Sequence, residues 1–374
     1  MPEVLSAVER HRLVDEWANG VELYDVPSVA MLIDCGRRVP SLRTAVRCGG
    51  HILTYAELYE RLDGGVTGTA GPTLDDLARL LCDIAAAAEF GAVLAELGPR
   101  GTGLKPVAVA AAADDRRAVV ADRRDCSIDR AYGSPDVRLL ATRWDTPAAA
   151  PGTPDAQAAV ELLAALADGA TLVLATAAQR TDAAALAELI ALSAPTHVAA
   201  DADTLAGLAF LPSPALPTVR RWDVFGSDCP AALSELLREL SPGSCAGFAY
   251  TTPEYAGVAA RGPLDGSGRV RPIPGARLLV LDESLRLVPP GRSGRVYVGG
   301  AALALELDGS AEGFVDDPFA PGGRLVRTEI HGGWTAEGWL VLDMIESNAP
   351  ATISEATGRS ESADFPADDG YAAA

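Results

Sequence analysis

The sequence predicts an α/β protein in which mostly parallel, helix-covered sheets are joined to a small antiparallel β subdomain. Three observations predict it. Between residues 155 and 250, runs of helical apolar periodicity alternate with short apolar runs of strand length. Such alternation needs crossover connections, hence parallel strands with helices laid over them. From Gly262 onward the texture changes to short strands punctuated by Gly and Pro, the pattern of antiparallel sheet. Finally, 48% of the 374 residues are hydrophobic, enough to bury a large core. The expected division is one large region over 1–345, made of an α/β body (1–261) and a β-rich subdomain (262–345), followed by an acidic segment over 346–374. That segment has few large apolar residues to offset the entropy of ordering and is expected to be disordered.

Each element has its own justification. Val4, Leu5, Val8 and Leu13 fall at helical spacing, so residues 4–18 read as an amphipathic helix resting on something larger. Residues 27–33 read as a strand, 45–53 as a hairpin and 54–62 as a helix. Thr54 caps that helix with Glu57 three residues on, a capping box. An Ala/Leu-rich helical run over 73–97 leads through a glycine-rich turn into a buried strand near 105–113. Residues 114–154, rich in Asp, Arg, Ala and Pro, have the weakest periodicity and read as a rebuilt loop region. Helices at 155–169, 182–193, 202–210 and 230–240 then alternate with strands at 170–176, 196–200, 220–226 and 245–250. Strands at 277–282, 294–300, 324–330 and 338–343 complete the chain.

Composition bounds the chemistry. Against 51 acidic residues stand 31 Lys and Arg, a formal net charge of −20. Such a surface repels nucleic acid and anionic membranes, so neither is an expected partner. The N-terminus is charged without an apolar leader core, and no stretch reaches the ~18 apolar residues of a membrane span. The expected location is the cytoplasm. Six cysteines (Cys35, Cys48, Cys82, Cys126, Cys229, Cys245) are scattered without a CxxC pair among only four histidines. A zinc site of ordinary spacing is not expected, and the thiols are read as reduced and structural.

The order of certain segments is more specific. The stretch ILTYAELYERLD (52–63) is followed by ALADGATLVLA (165–175), LPTVRRWDVFGSDCPAAL (216–233), PIPGARLLVLDESLRLVPPGRSGRVYVGG (272–300) and FVDDPFAPGGRLVRT (314–328). In this order, from Leu5 to about Ile345, the chain resembles the adenylation domains of nonribosomal peptide synthetases, members of the adenylate-forming enzymes. Leu53, Thr54, Tyr55, Ala56, Glu57 and Leu58 match the family's first core motif. The opening SAVERHRLVDEWANG (6–20) is similar to the linker helix that follows a condensation domain.

The resemblance implies ATP-dependent acid activation, which must hold triphosphate, Mg²⁺, ribose and carboxylate in line. Most of that equipment is expected to be missing. Where the family has a Ser/Thr/Gly-rich phosphate loop ending in lysine, this chain has LLATRWDTPAAAPGTP (139–154). The Gly98–Pro106 stretch with Lys105 imitates such a loop but precedes its strand instead of following one, and reads as a helix-terminating turn. In the family's Tyr-Gly-Pro-Thr-Glu motif stand Tyr250, Thr251, Thr252, Pro253 and Glu254. Tyr250 takes the adenine-stacking position, Glu254 the Mg²⁺ position, and Thr252 lies one residue out of register with the phosphate-binding threonine. The plain alternative is core packing for Tyr250 and a helix-start carboxylate for Glu254. Arg327 keeps its place in the next motif, but Ile330 stands where the ribose-binding aspartate belongs and cannot accept hydroxyl hydrogen bonds. Asp155 lies near the aspartate that receives a substrate amino group, with a helix N-cap as the alternative. Asp228 is the other residue read as facing the old substrate pocket. Beyond Leu342 the family has an arginine, a hinge and a subdomain carrying the catalytic lysine; here Ile345 stands near the arginine position and the acidic segment follows.

The expectation is a catalytically degenerate adenylation-like protein that serves peptide-synthetase biosynthesis by binding other proteins. It would use no cofactor. The implied partners are condensation or carrier domains, or a small MbtH-like protein contacting Ala311 and Phe314. The alternative is a residual ligase that uses ATP and Mg²⁺ with parts supplied in trans. A third reading is a small-molecule-binding protein without catalysis.

Overall fold

The computed structural model describes residues 5–20, 34–64, 136–142, 165, 168–211, 215–227, 232–252, 254–273, 275–300, 303 and 313–343. The readings for residues 27–33, 73–113 and most of 155–169, and for the acidic segment, fall outside them. Among the described residues, fourteen strands join in one sheet. They are β1 (Thr44–Cys48), β2 (His51–Thr54), β3 (Val137–Ala141), β4 (Thr171–Leu174), β5 (His197–Asp201), β6 (Arg221–Gly226) and β7 (Cys245–Thr252). The rest are β8 (Tyr255–Pro263), β9 (Arg269–Pro272), β10 (Ala276–Leu281), β11 (Gly294–Gly300), β12 (Phe314–Asp316), β13 (Arg324–Trp334) and β14 (Leu340–Leu342).

Strands β1, β4, β3, β5, β6 and β7 lie side by side in that order, all parallel. Every residue of β4 is buried, as a strand covered on both faces requires. The β3 strand corrects the sequence reading. Residues 137–141 sit centrally between β4 and β5, inside the stretch read as loop. Five residues flanked by Asp, Pro and Arg are too short to show a period, so only their neighbours reveal the strand. Because β4 and β5 flank β3, the chain crosses back over β3 after β4. This reversal makes the carboxyl ends of the strands the place where an α/β sheet opens a ligand crevice.

The antiparallel half is hydrogen-bonded to the parallel half through β8 and β9, and continues through β14, β13 and β11 to β10. The junction is tight: a Cβ on Gly262 would lie 1.8 Å from the Arg269 carbonyl oxygen. The larger of two core clusters runs through both halves, from Val46 and Leu139 to Trp334 and Leu342.

The N-terminal arm differs from the single helix expected. Ser6 and Glu9 form a capping box on α1 (Ala7–His11), which buries nothing and leaves Val8 61% exposed. A π-turn over Arg12–Glu16 follows and buries Leu13 and Val14. Beyond it the chain runs along β10, with the Leu278 N–H donating to the Ala18 carbonyl at 2.8 Å and Gly20 to Ala276 at 3.3 Å. An otherwise bare sheet edge is thereby covered. The second helix, α2 (Tyr55–Gly64), starts as the sequence predicts: Thr54 N–H and hydroxyl both donate to Glu57 Oε2, at 2.8 and 2.9 Å.

Candidate functional site

The candidate site lies at the carboxyl end of β7, three strands along the sheet from β3. The Tyr250 backbone pairs with Gly226 at the end of β6, and its side chain is fully buried. Two residues on, the buried Thr252 hydroxyl donates to Glu254 Oε2. Burial pushes the Tyr250 phenol up to about 12; the Thr328 hydroxyl facing it works in the opposite direction, and the Glu254 carboxylate adds to the rise. Tyr250 Oη nevertheless makes no hydrogen bond of ordinary geometry among the described residues. Tyr250, Glu254 and Thr328 are therefore neighbours across the join of the sheet's two halves. Thr328 is itself committed, donating to the Val296 carbonyl at 2.8 Å and accepting from the Ile330 N–H at 3.3 Å. At the end of β3, the fully buried Thr142 hydroxyl also lacks a partner among the described residues.

The predicted residues divide. Tyr250, Thr252 and Glu254 come together, whereas Arg327 is exposed on β13 between the buried Val326 and Thr328. Strand alternation explains this, because neighbours on a strand point to opposite faces. The residue that sequence reasoning passed over is Thr328, and the signal was present: Val326, Thr328 and Ile330 alternate with Arg327, Glu329 and His331. Ile330 is buried within the core cluster. Phe314 is half-buried on β12 beside Val326, with the Arg324 guanidinium 4.8 Å from its ring centre. Asp155, Asp228 and Ala311 lie outside the described residues.

Charge sits elsewhere. Among the described residues, Glu254 has no ion-pair partner, and the site shows one carboxylate, three hydroxyls and an apolar wall. Among the described residues this set adds neither a cation nor a cradle of N–H groups of the kind a triphosphate requires. The concentrated charge is at the opposite end of the strands. Buried Asp223 on β6 accepts from His197 Nε2 at 2.7 Å, Arg221 Nε and Nη2 at 2.8 and 2.7 Å, and Arg261 Nη1 at 3.1 Å. Desolvation works to raise this carboxyl, but Arg261, His197 and Arg221 overcome it and hold Asp223 well below the usual carboxylate range. These side chains saturate one another and read as a structural network.

Comparison with known proteins agrees with this fold. The AMP-binding enzyme family model matches residues 145–306. A probable non-canonical nonribosomal peptide synthetase, CymA, of Salinispora arenicola is 36% identical over 190 residues, 48% of this chain and 2% of that protein. Novobiocin biosynthesis protein H of Streptomyces niveus is 36% identical over 177 residues, 45% of this chain and 28% of that protein. The chain thus spans only a small part of these relatives. Among solved structures, the AMPPNP-bound form of the nonribosomal peptide synthetase FmoA3 superposes with a TM-score of 0.64 at 20% identity, covering 90% of this chain and 44% of that one. The N-terminal subdomain of Klebsiella oxytoca NpsA, in complex with 3-hydroxyanthranilyl-AMSN, gives 0.57 at 15% identity, covering 85% of this chain and 98% of that one. These last two likenesses establish the fold.

Proposed function

We propose that this chain, which is similar to adenylation domains of nonribosomal peptide synthetases, serves nonribosomal peptide biosynthesis as a catalytically degenerate relative that works by binding other proteins. The observation that carries this reading is β13, which turns Arg327 to solvent and buries Ile330 where the family's ribose carboxylate belongs. With Glu254 occupied by Thr252 and no described cation beside it, the site offers a nucleotide little to hold. On this reading the protein uses no cofactor. Its partners are condensation or carrier domains, consistent with relatives named as peptide synthetases. An MbtH-like protein at Ala311 and Phe314 is a further candidate, to be sought by co-purification.

One observation favours a second reading, a residual acid-activating ligase completed in trans: Tyr250, Thr252 and Glu254 remain gathered at the carboxyl edge. Calorimetric titration with ATP and Mg²⁺, run beside amino-acid-dependent pyrophosphate exchange with an intact adenylation domain as positive control, separates the two. The binding role expects neither signal. Saturable nucleotide binding or exchange abolished by Glu254→Gln would overturn it in favour of the ligase.

A further inference from the structure

A small cationic and aromatic platform stands out on this acidic protein. On β9, Arg269 and Arg271 are exposed and share a face, and both guanidinium carbons lie over the ring of Trp339, 5.3 and 4.1 Å from its centre. Trp339 is held in place. The 335–339 turn is closed by Thr335 N–H to the Trp339 carbonyl at 2.8 Å, and Gly338 presses so closely on Trp17 that a Cβ there would lie 2.7 Å from the indole nitrogen. Arg269 is partly neutralised by Asp265 at 2.9 Å, with 44% of its side chain still exposed. Arg271 donates to the Glu337 carbonyl at 3.4 Å, and among the described residues it has no carboxylate partner. Guanidiniums fixed over an indole have lost part of their freedom before any partner arrives, which lowers the entropic cost of capturing an anion.

The chain itself carries an anionic segment that starts beside this platform. Strand β14 pairs with β9, Val341 opposite Arg269, and the chain continues from Asp343 into residues 344–374. Those residues hold six carboxylates (Glu346, Glu355, Glu361, Asp364, Asp368, Asp369) against one cation, Arg359. Phe365 stands among the last three and Tyr371 two residues after them, so the segment offers rings to the guanidiniums beside its charges. At about 3.3–3.6 Å of reach per residue, the Asp364–Tyr371 stretch has ample chain to return to β9. We propose that the Arg269–Arg271–Trp339 platform is the docking surface for this chain's own acidic segment, with Asp364, Phe365, Asp368 and Asp369 as the contacting residues. Tethering supplies an effective concentration of roughly millimolar, so individually weak exposed pairs suffice to hold it part of the time.

Amide hydrogen exchange across residues 360–374, measured in the full chain, tests this. Exchange is expected to be at least about twofold slower in the native protein than in Arg269→Glu/Arg271→Glu, the signature of a site occupied half the time or more. Asp364→Asn/Asp368→Asn/Asp369→Asn should remove the protection equally, and Arg269→Lys/Arg271→Lys should keep most of it. If charge reversal on β9 unfolds the sheet, the segment variant decides by itself. Identical exchange in the native protein and the segment variant overturns the proposal. Protection that grows with protein concentration overturns it as well, because the occupant would then be a second copy's segment.

Discussion

Asp223 shows how much one buried carboxylate can organise. Three cationic or hydrogen-bonding partners converge on it from β5, β6 and β8, so its removal takes a shared buried acceptor from all three. Asp223→Asn should therefore cost about 3–5 kcal/mol in a urea unfolding curve, the range for breaking a buried pair by deleting one partner. The pH dependence follows from its depressed pKa. The charged form is favoured by folding, so the stabilisation is fully present above the unfolded value near 3.8 and is lost as pH falls below it toward the folded value. The native protein should lose stability progressively below about pH 4, and the Asn variant should show a flatter acid limb. Of this network only the Arg221–Asp223 pair on one strand was legible in the sequence, because His197 and Arg261 lie far from Asp223 along the chain and reach it through the parallel β5–β6 pairing and the antiparallel β7–β8 pairing. The position of Arg327, by contrast, was legible: strict alternation from Val326 to His331 already directs it outward.

At the scale of elements, two contacts decide how the pieces meet. Gly262 allows β8 to pass against β9, since any side chain there would collide with the Arg269 carbonyl. Gly262→Ala should lower stability by about 1–3 kcal/mol or more through overpacking, read as a lower melting temperature. A variant as stable as the native protein would mean that the strands separate there without cost. The N-terminal arm depends on Arg277, whose Nη1 donates to the Val14 carbonyl at 3.0 Å and Asn19 Oδ1 at 2.9 Å while Nε donates to buried Asp317 at 2.6 Å. Arg277→Ala should release residues 12–20, seen as faster amide exchange there, and cost about 1.5–3 kcal/mol for lost charge-assisted hydrogen bonds. The capping boxes at Ser6 and Thr54 could be read locally, whereas the π-turn and the strand-like run at 18–20 could not. Their geometry is set by β10 and Arg277, about 260 residues away along the chain.

Over the whole molecule, one sheet and one core cluster cross the boundary that the change of texture near Gly262 suggests. The two halves should therefore unfold together, with far-ultraviolet and near-ultraviolet circular dichroism giving coincident denaturation curves. Two resolved transitions would show the β8–β9 join to be too weak to couple them. The sequence by itself determined the α/β class, the parallel core strands, the antiparallel tail of the sheet and the family likeness, because apolar periodicity, turn residues and motif order are local properties of the chain. Only the tertiary structure decided that residues 137–141 are a central strand, that the Thr328 face of β13 is the one that meets Tyr250, and that a buried charge network lies at the opposite end of the strands. Each of these depends on which strands are neighbours and which faces meet. Short segments with no period of their own take both from the sheet around them.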